Sequence, residues 1–199
     1  KFAANKTHKN STIMTKIKSF FLAALFAMSA ANANAQNSYD RPVKAFEFEP
    51  FVGVTYGLAG NVGSHQVGPA LGFEARYNLN CLPVDVGTQL YMGSAVSKFA
   101  GSTLSFRTFS FMSVCDYNFL LGEKVSPFVG IGLGLNSYDI VVGNYPDDNT
   151  DKTSGVGLMP RVGVELFRHV RVTLNAHIGK AKYNTIGLSV GYAFGGGAK

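Results

Sequence analysis

The sequence predicts an all-β fold, an eight-stranded antiparallel up-and-down transmembrane β-barrel. Three observations predict it. Apolar and polar residues alternate with a period of two in eight separate segments. Glycine and arginine, rather than lysine, are frequent on the polar face of these segments. The connections between the segments alternate between short turns and longer polar loops.

Strict alternation marks a strand with one apolar and one polar face. It is clear in the segments 66–78, 125–136, 156–166, 170–178 and 186–194, and less regular in 46–56, 84–92 and 104–119. In the segment 104–119, Leu104 and Phe106 share one parity, whereas Phe109 and Phe111 share the other. We therefore expect a β-bulge near residues 107–109, since an extra residue shifts the phase.

The connections define two rims. The short turns are residues 78–83, 120–124 and 167–169, and the longer polar loops are residues 58–65, 94–102 and 139–154. The last connection, around residues 180–184, falls on the rim of the longer loops but is shorter than they are. An even number of strands then places both chain ends on the short-turn rim.

The polar face decides which side of the barrel meets lipid. A soluble lipocalin-like barrel would place its polar face in water, and a transmembrane barrel would place it in the lumen. Glycines on this face suit a narrow lumen, and arginine suits enclosed ion pairs. The glycines are Gly68, Gly72, Gly130, Gly132, Gly134, Gly187 and Gly191. The charges are Glu47, Glu49, Glu74, Asp85 and Glu165 against Arg76, Arg107, Arg161 and Arg171. We expect them to form a paired network that plugs the lumen.

Aromatic residues gather at the short-turn rim, which is typical of an interfacial girdle. They are Phe48, Tyr77, Phe119, Phe167, Tyr192 and Phe194.

The N-terminal region predicts export. Residues 14–35 combine Lys16 and Lys18 with a short apolar core and a terminal Ala-Asn-Ala, as in a secretory signal peptide. Residues 1–13 form an upstream extension that we expect not to be native. Residues 36–199 are then the barrel domain. Five of the 18 basic residues and no acidic residue lie in residues 1–35, so the net charge of +6 does not indicate a nucleic-acid partner.

Residues 45–194 resemble the small outer-membrane β-barrel family, the porin-like or OmpA/OmpX-type eight-stranded barrels. The alternating stretch 185–194 resembles their closing strand, although Phe194 is followed by residues 195–199. The resemblance implies the outer membrane of a bacterial cell, with its lipid and lipopolysaccharide as partners. It implies a structural or surface-interaction role, in which loops 58–65, 94–102 and 139–154 present a surface to an extracellular ligand. The alternatives are a narrow porin for small solutes, a lipid-modifying outer-membrane enzyme and a soluble lipocalin-like binding barrel.

No pattern predicts a catalytic residue, a cofactor or a metal. The glycines of 130–134 lack the spacing of a phosphate-binding loop, and the acidic stretch 147–151 lacks the glycine and glutamate of a calcium loop. His177, Ser189 and Glu165 share inward parity but should face the lumen rather than lipid, which argues against a hydrolytic triad. Cys81 and Cys115 are compatible with a disulfide or with two thiols.

Overall fold

The structure is a computed structural model that describes residues 44–58, 67–79, 82–99, 102–143, 151–179 and 184–195. The predicted signal peptide and upstream extension lie outside these residues. Within the described part of the chain, no helix is long and apolar enough to cross a membrane.

Eight antiparallel strands form a closed barrel in which each strand pairs with its neighbours in sequence and the first pairs with the last. The strands are β1 (Phe46–Gly57), β2 (Val67–Asn78), β3 (Val84–Phe99), β4 (Ser102–Asn118), β5 (Val125–Gly143), β6 (Asp151–Leu166), β7 (Val170–His177) and β8 (Thr185–Tyr192). The predicted fold class and strand order are confirmed.

The seam between β1 and β8 closes the ring. Its register runs from Phe51 opposite Gly191 to Gly57 opposite Thr185. Nearer the short-turn rim, the backbones of Phe48 and Phe194 form two hydrogen bonds with each other, of 3.0 and 2.8 Å between nitrogen and oxygen. Closure gives every strand a hydrogen-bonded neighbour on both sides, which hydrocarbon cannot supply.

The two faces of the wall are inverted relative to a soluble protein. Large apolar side chains point outward and stay exposed, with Ile131 51% and Leu135 59% accessible. Arg76, Arg161 and Arg171 point inward and are at most 2% accessible. This arrangement needs lipid outside and excludes the lipocalin-like alternative, whose apolar residues would fill the interior.

The outer surface carries an apolar band that ends at a defined height. On β5 the outward residues are apolar at every second position from Val125 to Leu135, and Ser137 and Asp139 follow. Ten residue steps along a strand tilted at about 40° span about 25 Å, the height of a lipid-facing band. Ile131 therefore lies near its middle.

Two predicted loops are shorter than expected. β3 extends to Phe99 and β4 begins at Ser102, so most of the predicted loop 94–102 is strand. β5 extends to Gly143 and β6 begins at Asp151, so only residues 144–150 separate them within the predicted loop 139–154. The prediction failed because the sequences of these strand ends do not alternate between apolar and polar residues.

The predicted bulge in β4 is wrong. β4 pairs with β3 without interruption, from Phe106 opposite Ala95 to Phe109 opposite Met92. Phe106 points inward and stacks on Tyr138 with ring centroids 5.9 Å apart. The alternation of apolar and polar residues changes phase along β4 because apolar side chains, rather than polar ones, fill the lumen at this height. As a result Arg107, predicted to face the lumen, points outward and is exposed.

Most of the predicted rim aromatics are exposed on the outer surface. Five of the six predicted girdle residues are at least 40% accessible, whereas Phe119 is buried at 7% and packs edge-on against Tyr117. Cys115 is an exposed free cysteine on the outer surface. Cys81 lies outside the described residues.

Replacing Ile131 with Arg should lower the free energy of unfolding in phospholipid vesicles by about 2–4 kcal/mol, because the charge meets the middle of the apolar band. Ser137→Arg, on the same strand above the band, should cost only about 0–1 kcal/mol. Equilibrium denaturant titration of the vesicle-inserted protein measures both values. Equal costs at the two positions would contradict the placement of the band.

Candidate functional site

A cluster of charged side chains fills the half of the lumen nearest the short turns. All of its members face inward and are at most 5% accessible. We call it the lumen ion cluster, and it consists of Glu47, Glu49, Glu74, Arg76, Asp85, Asp116, Arg161 and Arg171. They come from six of the eight strands, so the cluster crosses the lumen rather than lining one wall.

Arg76 joins three carboxylates on β1 and β2. Its guanidinium donates to Glu47 at 2.7 Å and to Glu74 at 3.0 Å, and it also pairs with Glu49. Register explains the grouping, because Arg76 lies directly opposite Glu47 and Glu74 lies opposite Glu49. Arg76 thus separates three negative charges that would otherwise repel each other.

Arg161 connects opposite walls of the barrel. Its two terminal nitrogens donate to the two oxygens of Glu74 at 2.5 and 2.7 Å. Its Nε donates to Asp116 Oδ1 at 2.6 Å, and Nη2 pairs with the other oxygen of Asp116. This double fork uses the planar geometry that arginine has and lysine lacks.

Arg171 completes the chain of ion pairs. It pairs with Asp116 and approaches Asp85 at 3.7 Å. Its guanidinium carbon lies 3.6 Å from the centroid of the Phe128 ring, which is a cation–π contact. The network is therefore continuous from β1 through β7.

Three amides hydrogen-bond the carboxylate oxygens at the edge of the cluster. Asn78 donates to Glu47 at 2.9 Å, Gln89 to Glu74 at 2.8 Å and Asn118 to Asp85 at 2.8 Å. Buried charges of this kind are tolerated only when partners occupy most of their hydrogen-bonding positions. The cluster thus behaves as a fixed polar core.

The composition of the cluster differs from the prediction in three residues. Arg107 points outward, and Glu165 faces inward but is partly exposed and is not a member. Asp116, which the sequence pattern did not predict, lies inside at 0% accessibility. The cluster therefore holds five carboxylates and three arginines, a larger negative excess than the predicted set had. Asp116 shares its parity with the inward Met112 and Val114, so an uninterrupted β4 would have identified it.

Glycines on the inner face make room for the large side chains. A Cβ on Gly163 would lie 2.5 Å from Cζ of Phe128, and a Cβ on Gly191 would overlap the carboxylate of Glu49. A Cβ on Gly130 would overlap Asp116. The polar-face glycines thus serve the packing role that the sequence predicts.

The other half of the lumen contains uncharged polar and aromatic side chains. The ring of His177 lies 4.3 Å from that of Tyr91, between centroids, and its Nδ1 is 3.3 Å from the hydroxyl of Ser110. Both His177 and Ser110 are fully buried.

The structure does not bring His177, Ser189 and Glu165 together as a triad. The hydroxyl of Ser189 donates to the carbonyl of Thr173 at 3.5 Å. Glu165 lies opposite Arg171, six residues before His177 on β7, which is about 20 Å along the strand. In the described part of the chain, no group of three or more His, Cys, Asp or Glu side chains is arranged to hold a metal ion. The acidic stretch 147–151 lies outside it except for the backbone of Asp151.

A family model described as "Outer membrane protein beta-barrel domain" matches residues 20–194. The chain belongs to this family. Members of the outer membrane protein beta-barrel family are bacterial outer-membrane proteins, so the hydrocarbon that faces the apolar band is that of an outer membrane. No curated protein matches the chain.

Solved structures of the same architecture are similar to the chain. Neisserial surface protein A is 17% identical with a TM-score of 0.56, over 77% of this chain and 98% of that one. The N-terminal barrel of Pseudomonas aeruginosa OprF is 17% identical with a TM-score of 0.45, over 76% and 98%. The attachment invasion locus protein Ail of Yersinia pestis is 13% identical with a TM-score of 0.43, over 77% and 99%. The first of these likenesses supports the fold.

Replacing Arg161 with Met should lower the free energy of unfolding by about 3–5 kcal/mol, because Glu74 and Asp116 would remain buried without their shared partner. Arg107→Met is the matched control on the outer surface, and it should cost less than about 1 kcal/mol. Denaturant titration in phospholipid vesicles compares the two variants. A cost at Arg161 no larger than that at Arg107 would show that the cluster does not hold the lumen together.

Proposed function

We propose that the protein is a non-enzymatic outer-membrane barrel with a structural and surface-interaction role. Its lumen is closed by the lumen ion cluster, and its long-loop rim faces the outside of the cell. The partners are the lipid and lipopolysaccharide around it and an extracellular ligand or surface above it. Residues 14–35 direct export as a signal peptide, residues 1–13 are an upstream extension, and residues 36–199 form the barrel domain.

The continuous network of ion pairs across the lumen carries this proposal. An eight-stranded barrel has an interior only wide enough for side chains. Here Arg161 on β6 reaches across the lumen to Glu74 on β2 and also holds Asp116 on β4, and Phe128 fills the space beside Arg171. Moving a solute through this level would require buried, hydrogen-bonded charges to separate, at a cost of several kcal/mol.

The unequal height of the wall supports a surface role. β3, β4, β5 and β6 have 16, 17, 19 and 16 residues, whereas β7 and β8 have 8 each. β5 spans about 45 Å along the barrel axis at a tilt of about 40°, against about 25 Å for the apolar band. The upper ends of these long strands, at Phe99, Ser102, Gly143 and Asp151, therefore stand above the membrane.

A narrow porin for small solutes is the second candidate. The excess of carboxylates over arginines in the lumen favours it, because a ring of acidic side chains selects cations. A lipid-modifying enzyme has less support, since the buried His177 and Ser110 face the lumen and not lipid.

Purified protein in planar bilayers should show no steady current, because the lumen ion cluster closes the barrel. The double variant Arg76→Ala/Arg161→Ala should admit a cation-selective current, because it removes two bridging cations and leaves the carboxylates. Arg107→Ala/Lys152→Ala is the control with the same charge loss outside the lumen. Heat-modifiable migration in detergent gels verifies that each variant is folded. A steady, ion-selective current from the unaltered protein would favour the porin and contradict a closed lumen.

Orientation can be tested by thiol labelling of intact cells. In a Cys81→Ser/Cys115→Ser background, Asp147→Cys, in the sequence between β5 and β6, should react with a membrane-impermeant maleimide. Lys124→Cys, at an exposed position of a short turn, should react only after the outer membrane is opened. The reverse pattern would show that the long strands face the periplasm, and recovery of both variants in the soluble fraction would overturn the outer-membrane location.

A further inference from the structure

The part of the outer wall that faces hydrocarbon is apolar except at one place. Among the outward-facing strand side chains that the structure describes within the apolar band, and apart from tyrosines near the rims, only Thr88, Ser113 and Cys115 carry a polar group. All three are exposed. Thr88 on β3 lies directly opposite Ser113 on β4, and Cys115 follows two residues later on β4. We call these three residues the polar patch.

The polar patch lies deep in the membrane. Cys115 is directly opposite Ile131, which is near the middle of the apolar band. Within the part of the chain that the structure describes, no hydrogen bond joins the hydroxyl of Thr88 or Ser113 to another residue. A hydroxyl without a partner is unfavourable in hydrocarbon, and lipid tails contain neither donors nor acceptors. Hydrogen-bond partners for the patch can therefore come only from another protein in the membrane.

The stagger of the strands fixes how depth changes from one strand to the next. From Phe51, the pairing leads through β2, β3 and β4 to Asn136 on β5. In the other direction, through β8, β7 and β6, it leads to Ser126, ten residues nearer the short-turn rim. Rows of paired residues therefore climb by ten residues in one circuit of the eight strands, which is slightly more than one residue per strand.

This stagger places Thr88 and Cys115 side by side. The point on β4 at the depth of Thr88 lies about one residue below Ser113, in the direction of Cys115. Thr88 and Cys115 thus differ in depth by only about 2 Å, and Ser113 lies between them and about 3–5 Å nearer the long-loop rim.

The polar patch is complementary to itself. A twofold axis along the membrane normal keeps every residue at its own depth and turns the patch of a second copy toward the first. With this axis in line with Ser113, the two Ser113 side chains face each other. Thr88 of each copy then faces Cys115 of the other. Hydroxyl and thiol groups can both donate and accept, so every polar group of the patch gains a partner.

The apolar side chains around the polar patch suit the same contact. Val86 lies opposite Cys115, Leu133 lies opposite Ser113, and Phe111 lies two residues beyond Ser113 on β4. Their accessibilities are 39%, 59% and 46%, so they remain available for packing. The short side chains of the patch between them allow two walls to approach closely, as small residues do between membrane helices.

We propose that two copies of this chain associate side by side in the membrane through the polar patch, as a twofold-symmetric dimer. A second copy is the partner because it presents the matching hydroxyl and thiol groups at the required depths. The contact uses neither the lumen ion cluster nor the long-loop rim, so it goes beyond the proposed function and does not depend on it.

Disulfide cross-linking in outer membranes tests the position of the axis. In a Cys81→Ser/Cys115→Ser background, which keeps a hydrogen-bonding group at position 115, Ser113→Cys should form a cross-linked dimer when the membranes are treated with copper phenanthroline. Val190→Cys in the same background is the matched control, because it is 48% accessible within the band but lies on β8, four strands away from β4. Its yield of dimer should be at most about a tenth of that of Ser113→Cys, measured on non-reducing gels.

The pairing across the axis has its own test. A copy that carries Thr88→Cys in the same background should cross-link efficiently to a copy that keeps Cys115 and carries only Cys81→Ser. Each of the two copies expressed alone should give little dimer, because neither side chain lies on the axis. Tags of different mass on the two copies identify the mixed dimer.

The energetic role of the hydroxyls can be measured by fluorescence energy transfer between labelled copies in phospholipid vesicles, at decreasing ratios of protein to lipid. Thr88→Val/Ser113→Ala should lower the dimer association constant about tenfold, because the hydrogen bonds across the axis are lost. Ser137→Ala/Ser154→Ala removes a pair of exposed hydroxyls that also lie opposite each other, but above the band, and should change the constant less than about twofold. Heat-modifiable migration verifies that all variants are folded.

Three results would overturn the proposal. Equal cross-linking of Ser113→Cys and Val190→Cys would indicate random collision. A cross-linked product with a mass other than twice that of this chain would make the partner a different protein. Equal association constants for the two double variants would show that the hydroxyls of the patch do not hold the copies together.

Discussion

The need to pair every backbone amide in hydrocarbon is the constraint on which the rest of this structure depends. A sheet in lipid cannot leave an edge unpaired, so the chain closes β1 on β8. Closing with eight strands fixes a narrow lumen, and a narrow lumen leaves space for side chains alone. What fills the lumen then follows from the inward parity of each strand.

The same inward-facing residues fill the space of the lumen and pair its buried charges. Arginines cross the lumen because their length reaches the opposite wall and their fork holds two carboxylates at once, as Arg161 does. Such long side chains fit only where the adjacent strand has no Cβ, and Gly163 provides that space for Phe128, which in turn supports Arg171. Glycine and arginine on the polar face are thus two parts of one arrangement.

Sequence alone identified the barrel because, across the apolar band, lipid and lumen impose opposite polarity on alternate residues. Where alternate residues no longer differ in polarity, the sequence no longer predicted the strands. Residues 94–99 and 139–143 belong to strands, but their sequences do not alternate between apolar and polar residues, so they resembled loops. Phe106 broke the pattern for a different reason, since the lumen there is filled by stacked rings. Because the sequence predicted a bulge in β4, nearby residues were assigned to the wrong face. Arg107 was therefore assigned to the lumen, and Asp116 was not. The ion pairs themselves depend on cross-lumen distances, which alternation does not encode.

The seam between the chain ends also governs how the barrel forms. Phe48 and Phe194 lie at opposite ends of the described chain, yet their backbones bond directly. This contact has nearly the largest sequence separation available, and contacts of that kind form late and slowly. The ring therefore cannot close until its last strand is present. A chain that stops before β8 would not yield a smaller barrel but an open sheet with two unpaired edges, which lipid does not accept. Closure of the barrel thus depends on the C-terminal strand.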